Sequence, residues 1–195
     1  MTDDRRSWPP ETFDRIYADS GDPWNFHTST YEREKYAATL AALPAQRFAA
    51  GFEIGCSIGV LTRQLALRCD TLLAVDVAQA ALDAARRNCA GLAQVWIGRL
   101  HVPGEWPDQR FDLIVLSEVL YFLSPADVAR TAERTAASLS PGGVALLVNW
   151  TGPTDSPCTG DEAAGLFMVA SVAALTPALQ QRRPRYRLDL LRRGS

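Results

Sequence analysis

Cysteine is scarce in this chain and poorly placed for chemistry. The four residues, Cys56, Cys69, Cys89 and Cys158, contain no CxxC pair, so neither a zinc site nor a disulfide framework is expected. The opening MTDDRRSWPP carries charges with no apolar run behind them, which gives no secretory signal. No apolar stretch reaches the roughly 18 residues that a membrane span needs. A formal net charge of -2 argues against a nonspecific nucleic-acid binder. Internal repeats and low-complexity tracts are absent. With 195 residues there is room for about one domain and one sizeable core, and none for a second catalytic domain. The expectation is a cytoplasmic, single-domain protein with no membrane or nucleic-acid partner.

What is there is an alternation of strand and helix signals. Phe13, Ile16 and Tyr17 sit at helical spacing between Glu11 and Ser20. Residues 1 to 10 read as loosely held. A second helix runs from Tyr31 to Leu43 and stops at Pro44. Strands are expected at Phe48 to Ile54, Leu72 to Val75, Gln94 to Ile97, Phe111 to Ser117 and Val144 to Trp150. Helices are expected at Thr62 to Cys69, Ala78 to Cys89, Ser124 to Leu139 and, behind the capping-box spacing of Thr159 and Glu162, along DEAAGLFMVASVAAL. Pro141, Gly142 and Gly143 read as a turn, and Arg185 to Leu191 as a final strand after Pro184. Such alternation means a mostly parallel sheet covered on both faces. Arg182, Arg183, Arg185, Arg187, Arg192 and Arg193 alternate with Tyr186, Leu188 and Leu190, the pattern of a solvated strand face more than of an anion site.

The stretch FEIGCSIGVLTRQLALRCDTLLAVD, Phe52 to Asp76, carries the ligand information. Glu53 closes an apolar run, and Gly55, Ser57 and Gly59 follow at alternate positions before a helical period resumes. Small residues let backbone approach a ligand. A dinucleotide fingerprint would place its third glycine three residues after the second, yet that position is Val60 and the glycine spacing fails. Glu53 beside the turn would repel a diphosphate and attract a ligand bearing an amino group and a sulfonium. The bland alternative is a glycine turn that joins strand to helix and binds nothing.

The pattern acidic-x-Gly-x-small-x-Gly, with Asp76 closing LLAVD 21 residues after Gly55, resembles motif I and the second acidic position of class I S-adenosylmethionine-dependent methyltransferases. FDLIVLSEVLYFL followed by SPGG resembles their fourth strand, its loop and the turn before the fifth. Together with PWNFHTSTYEREKY near the N-terminus, the chain from about Phe13 to Arg192 is most similar to the methyltransferases of the nodulation protein S kind. The resemblance implies an α/β Rossmann-like fold, a mostly parallel sheet of about seven strands with the last antiparallel and helices on both faces. Residues 1–44 are then a helical, aromatic lid segment, and residues 45–195 the S-adenosylmethionine-binding methyltransferase domain.

The resemblance also implies roles. The glycine loop of Gly55, Cys56, Ser57 and Gly59 lies under the methionine part of S-adenosylmethionine, with Glu53 beside it, and Asp76 binds the ribose hydroxyls. Ligands in open parallel sheets bind beyond the carboxyl ends of strands, which expects Glu53, Asp76, Ser117, Glu118 and Tyr121 around one crevice. Where many relatives carry an Asp for the adenine, this chain has WIGRLHVPGEW with Arg99 and His101. Backbone at Leu100 or His101, or apolar contact with Val77 and Ile97, is left to hold the base; weak cofactor affinity is the alternative. In the aromatic segment, Trp24 offers a face to a sulfonium, Arg33 a partner for a carboxylate, and Tyr31 a further contact; ordinary packing of these aromatics is the competing reading. Nodulation protein S methylates the free amine of a deacetylated chitooligosaccharide, which implies a small-molecule or oligosaccharide amine as acceptor.

Direct displacement on a sulfonium needs no metal and no covalent nucleophile, so Cys56 is read as a packed residue. A protonated amine must lose a proton before it attacks. Glu118 is the candidate for attracting or deprotonating it, with Tyr121 as hydrogen-bonding neighbour, against a purely structural role for Glu118 in the following turn. An O- or C-methyltransferase, a nicotinamide-dependent oxidoreductase and a binding module that has lost catalysis stay open as rivals. Oligomeric state is not legible.

Overall fold

The structure is a computed structural model, and the residues it describes are 5–194. Two compact units divide the chain, one from Pro9 to His101 and one from Val102 onward together with the residues before Pro9.

In the first unit, helices α1 (Pro10–Asp19) and α2 (Thr30–Ala42) precede strand β1 (Phe48–Ile54). Proline at the first helical position, where no N–H is needed, starts α1, and the Ser29 hydroxyl caps α2 by accepting from Glu32 N. Helix α3 (Val60–Leu65), strand β2 (Cys69–Asp76), helix α4 (Gln79–Asn88) and strand β3 (Val95–Arg99) follow. β2 runs parallel to β1, with Glu53 opposite Ala74 and Ile54 opposite Val75. β3 continues in parallel and sets Arg99 opposite Asp76. Helix α3 is shorter than its sequence pattern. A 3₁₀ turn, Ala66–Arg68, ends it, and Cys69 already belongs to β2, because Arg47 gathers the Leu67 and Cys69 carbonyls.

The second unit holds β4 (Phe111–Ser117), α5 (Pro125–Ser138), β5 (Leu139–Trp150), α6 (Gly160–Ser171), β6 (Leu175–Arg182) and β7 (Tyr186–Arg193). Ser124 caps α5 through Asp127 N, and Thr159 caps α6 through Glu162 N, as the sequence signals require. β4 and β5 are parallel. β7 is antiparallel to β5 and to β6. The strand order is β3-β2-β1-β4-β5-β7-β6, so the mostly parallel seven-stranded sheet with its last strand reversed is as expected.

Further details differ from the sequence reading. Helix α6 ends at Ser171, and Leu175, expected at the end of that helix, already belongs to β6. Pro141 to Gly143 do not turn the chain into a strand but bulge within one: the pairing steps from Phe111 opposite Leu139 to Leu113 opposite Val144. Gly142 takes φ +74 there, a conformation that favours glycine. The short Arg5–Pro9 stretch, expected loose, is tied down. Arg5 pairs with Glu162 at 2.8 Å, and Trp8 donates its N–H to the Phe122 carbonyl at 2.9 Å while stacking on that ring. Residues 1–4 lie outside the described residues.

The basic C-terminal residues are compensated locally. Arg182 and Arg187 share Asp161, Arg187 also pairs with buried Asp189 at 2.8 Å, and Arg193 donates to the carbonyls of Ala136 and Leu139. No helix among the described residues is long and apolar enough to cross a membrane.

Candidate cofactor site

The turn after β1 alternates handedness. Gly55 has φ +80, Ser57 φ +50 and Gly59 φ +83. For a serine this left-handed backbone costs of the order of 1–2 kcal/mol, so its neighbours must hold it. Asp76 does so from the end of β2: Oδ2 accepts Ser57 N at 2.9 Å and Oδ1 accepts Ala78 N at 3.0 Å. Gly55 N and Cys56 N both donate to the Val75 carbonyl, and Gly59 N to the Cys56 carbonyl. Four N–H groups of the turn, those of Gly55, Cys56, Ser57 and Gly59, are thus spent inside the protein.

Glu53 lies 1% exposed at the end of β1, and its Oε2 is buried without a hydrogen-bond partner. Burial pushes its pKa up to about 7; the nearby Thr62 hydroxyl draws it down part of the way and the Asp76 charge raises it. A buried acid with an unmet oxygen is costly unless a donor or cation reaches it. Burial likewise raises Asp76, against the opposing pull of the Ala78, Ser57 and Val77 N–H groups. Cys56 is buried and its thiol pushed well up, first by burial and then by Asp76, so it is a packed residue with no thiolate character. It packs with Ala74, Leu82, Ala85 and Ile97.

The aromatic segment belongs to the same unit. Asp22 organises it by accepting Phe26 N and His27 N. Trp24 packs edge-on against Tyr17 at 5.5 Å and lies 5.7 Å from Phe26, which in turn lies 6.2 Å from Tyr36. Tyr31 carries Lys35 above its ring at 5.2 Å. Arg33 donates to Thr30 on its own helix at 3.1 Å. Arg99 donates to the Val77 carbonyl at 2.8 Å, and His101 is exposed.

One residue here escaped sequence reasoning. Tyr17, read only as an apolar position of α1, places its hydroxyl 2.5 Å from Ser57 Oγ. Helical spacing marked it as buried; nothing in the glycine pattern pointed forty residues back to it.

In the second unit, Ser117 ends β4 and is buried. Glu118 follows at φ +60, with its N–H on the Val148 carbonyl. Its Oε2 accepts from the Tyr121 hydroxyl at 2.7 Å and from Trp150 N at 3.0 Å. The expected Glu118–Tyr121 pair therefore exists, and Trp150 is a third member that the sequence did not announce. Among the described residues no group of three or more His, Cys, Asp or Glu could hold a metal ion.

The family model for nodulation protein S (NodS) matches residues 13–148. The chain belongs to the NodS family. The NodS of Rhizobium tropici is 34% identical over 125 residues, which are 63% of this chain and 52% of that protein. The chain spans about half the length of the curated NodS relatives it matches. Among solved structures, a chain from Pseudomonas syringae described as a candidate methyltransferase superposes with a TM-score of 0.73 at 34% identity, over 85% of this chain and 100% of the other. The N-methyltransferase NodS of Bradyrhizobium japonicum WM9, in complex with S-adenosyl-L-homocysteine, superposes with a TM-score of 0.80 at 23% identity, over 95% and 98%, and so shares the fold.

The residues present fit the cofactor of that NodS complex. Glu53 offers an unmet acidic oxygen to the amino group of such a ligand, and the N–H groups of Gly55, Cys56, Ser57 and Gly59 are turned inward and give a phosphate no purchase there.

Proposed function

We propose that the chain is an S-adenosylmethionine-dependent methyltransferase that methylates an amine of a small molecule or amino sugar. The observation that carries the reading is buried Glu53, whose Oε2 has no hydrogen-bond partner, beside a turn whose Gly55, Cys56, Ser57 and Gly59 N–H groups are consumed internally. Membership of the NodS family, and the N-methyltransferase name of a family member with the same fold, support the amine acceptor. Deacetylated chitooligosaccharide is the acceptor class closest to that resemblance.

When bound, S-adenosylmethionine supplies a methyl group already activated on a sulfonium. The chain's own residues then bind and align. Glu53 faces the positive charge of the amino acid part. Glycines 55 and 59 with Cys56 and Ser57 lie against that part, while Asp76, beyond holding the turn, presents its remaining lone pairs to the ribose hydroxyls. Val77 and the backbone near His101 flank the base. The part of residues 1–44 that carries Trp24, Tyr31 and Arg33 covers the site and keeps water out, and residues 45–195 form the body. On the acceptor side, Ser117 ends the strand, Glu118 attracts the ammonium and takes its proton, and Tyr121 fixes the Glu118 carboxylate by donating to it. Alignment and water exclusion are what such a displacement needs.

A labelled-methyl transfer assay against amino sugars, small amines and phenols tests this. Incorporation into amino-bearing acceptors supports the reading. Incorporation into phenols alone makes it an O-methyltransferase, and none with any acceptor despite cofactor binding makes it a binding module.

A further inference from the structure

Helix α1 approaches the glycine turn with one face. Asp14 and Tyr17, three residues apart and therefore neighbours on that face, make separate contacts. Asp14 accepts Gln79 N at 3.2 Å, at the start of α4, which has no side-chain cap of its own, and lies 3.6 Å from Arg99. Tyr17 is 5% exposed and packs with Ile58, Ala78 and Ala81. Its hydroxyl meets Ser57 Oγ. Burial raises the phenol far above its ordinary value, with Asp76 adding to the rise, so the hydroxyl stays protonated and can donate.

Ser57 is thus held twice in a backbone conformation that serine disfavours: by Asp76 at its N–H and by Tyr17 at its side chain. Glycine would need neither clamp. A buried tyrosine whose hydroxyl goes to the one non-glycine left-handed residue of the turn is well placed to decide how the turn is set. We propose that Tyr17 is a positioning residue of the cofactor site, its hydroxyl fixing Ser57 in the left-handed conformation so that the turn is preformed for a nucleoside-linked amino acid. Docking of α1 then determines whether the site is formed, and the N-terminal segment acts on cofactor binding as well as covering it. The inference rests on the reading of this turn as the S-adenosylmethionine site. Asp14 and the apolar face keep α1 seated when the Tyr17 hydroxyl is removed, so the effect of Tyr17→Phe reports on the clamp.

The test is calorimetric titration of the full chain with S-adenosylhomocysteine, using Tyr17→Phe, Ser57→Ala, Ser57→Gly and the double variant Tyr17→Phe/Ser57→Gly. Tyr17→Phe and Ser57→Ala are each expected to raise Kd about 5-fold, the scale of one left-handed serine. In the Ser57→Gly background the same Tyr17→Phe change is expected to raise Kd by less than about 2-fold, since glycine needs no clamp. Hydrogen exchange at the Ser57 amide, measured without cofactor, should quicken in Tyr17→Phe. Unchanged Kd and exchange in Tyr17→Phe overturn the inference while leaving the function reading in place. An equal loss in the Ser57→Gly background overturns it too, because the effect then does not pass through Ser57. Failure of the unsubstituted chain to bind S-adenosylhomocysteine overturns the function reading, and this inference with it.

Discussion

Asp76 at the end of β2 accepts the backbone N–H of Ser57 in the turn after β1, at 2.9 Å. The carboxylate is thereby part of the turn's structure before any ligand arrives, and its other oxygen starts α4 by accepting from Ala78 N. A hydrogen bond to an ionised acceptor contributes about 1.5–3 kcal/mol, enough to offset the strain of a left-handed serine.

Glu53 should make cofactor binding pH-dependent. Its pKa in the folded chain, about 7, lies above the ordinary 4.5, so the folded state holds a proton that the unfolded state has lost across that interval. The stability this one group contributes to the ligand-free chain is therefore fully present below about 4.5 and is lost as pH rises through about 7, about 3 kcal/mol in all. A cation at Glu53 draws the pKa down, so cofactor binding near pH 6 releases a proton and tightens as pH rises. Titration calorimetry in two buffers of different ionisation enthalpy measures that release. Glu53→Gln should flatten the stability profile and abolish the release.

Glycine 59 is expected to be intolerant for two separable reasons. It has φ +83, and an added Cβ would lie 3.1 Å from both Ala85 Cα and Cys89 Sγ. Gly91 has φ +87 with nothing within 4 Å. Gly91→Ala should therefore show conformational strain alone, about 1 kcal/mol. Gly59→Ala should show strain plus the contact, of order 2–3 kcal/mol. Thermal melting of the two variants reads the difference; equal melting temperatures would remove the packing argument.

Glu118→Gln keeps an oxygen that can accept from the Tyr121 hydroxyl and Trp150 N, and removes only the charge. Cofactor affinity is expected to stay as it was, and methyl transfer to an amine to fall by about 100-fold or more, the scale of a lost general base. Unchanged turnover at saturating cofactor would reduce Glu118 to a structural partner of Tyr121 and Trp150.

The legible parts of this fold were those set by local pattern. Strand Phe111–Ser117 is legible from its apolar run Leu113 to Leu116, buried throughout, because a doubly buried strand leaves no polar face to confuse the period, and Phe48–Ile54 is legible from a largely apolar run that Glu53 interrupts. Ser124 and Thr159 announced their helices through side-chain caps. β6 is not legible in the sequence because Leu175–Arg182 is largely exposed and carries Pro177, so it has almost no apolar face to betray it. The Pro141–Gly143 bulge uses the same residues as a turn, and local sequence does not separate the two. In the site, the Glu53, Gly55, Gly59 and Asp76 spacing was visible because one helix and one strand separate them. The Tyr17 contact with Ser57 and the Trp150 contact with Glu118 are tertiary, and no local signal encodes either.

The central claim is that the turn held by Asp76 binds a nucleoside-linked amino acid that carries an ammonium group and no phosphate. Titration calorimetry with S-adenosylhomocysteine and, in parallel, NAD, on the unsubstituted chain and on Asp76→Ala, tests it most directly. One-to-one binding of S-adenosylhomocysteine alone, with at least about a tenfold loss in Asp76→Ala, is the expected result. Binding of NAD in preference, or S-adenosylhomocysteine affinity untouched by the Asp76 substitution, would contradict it.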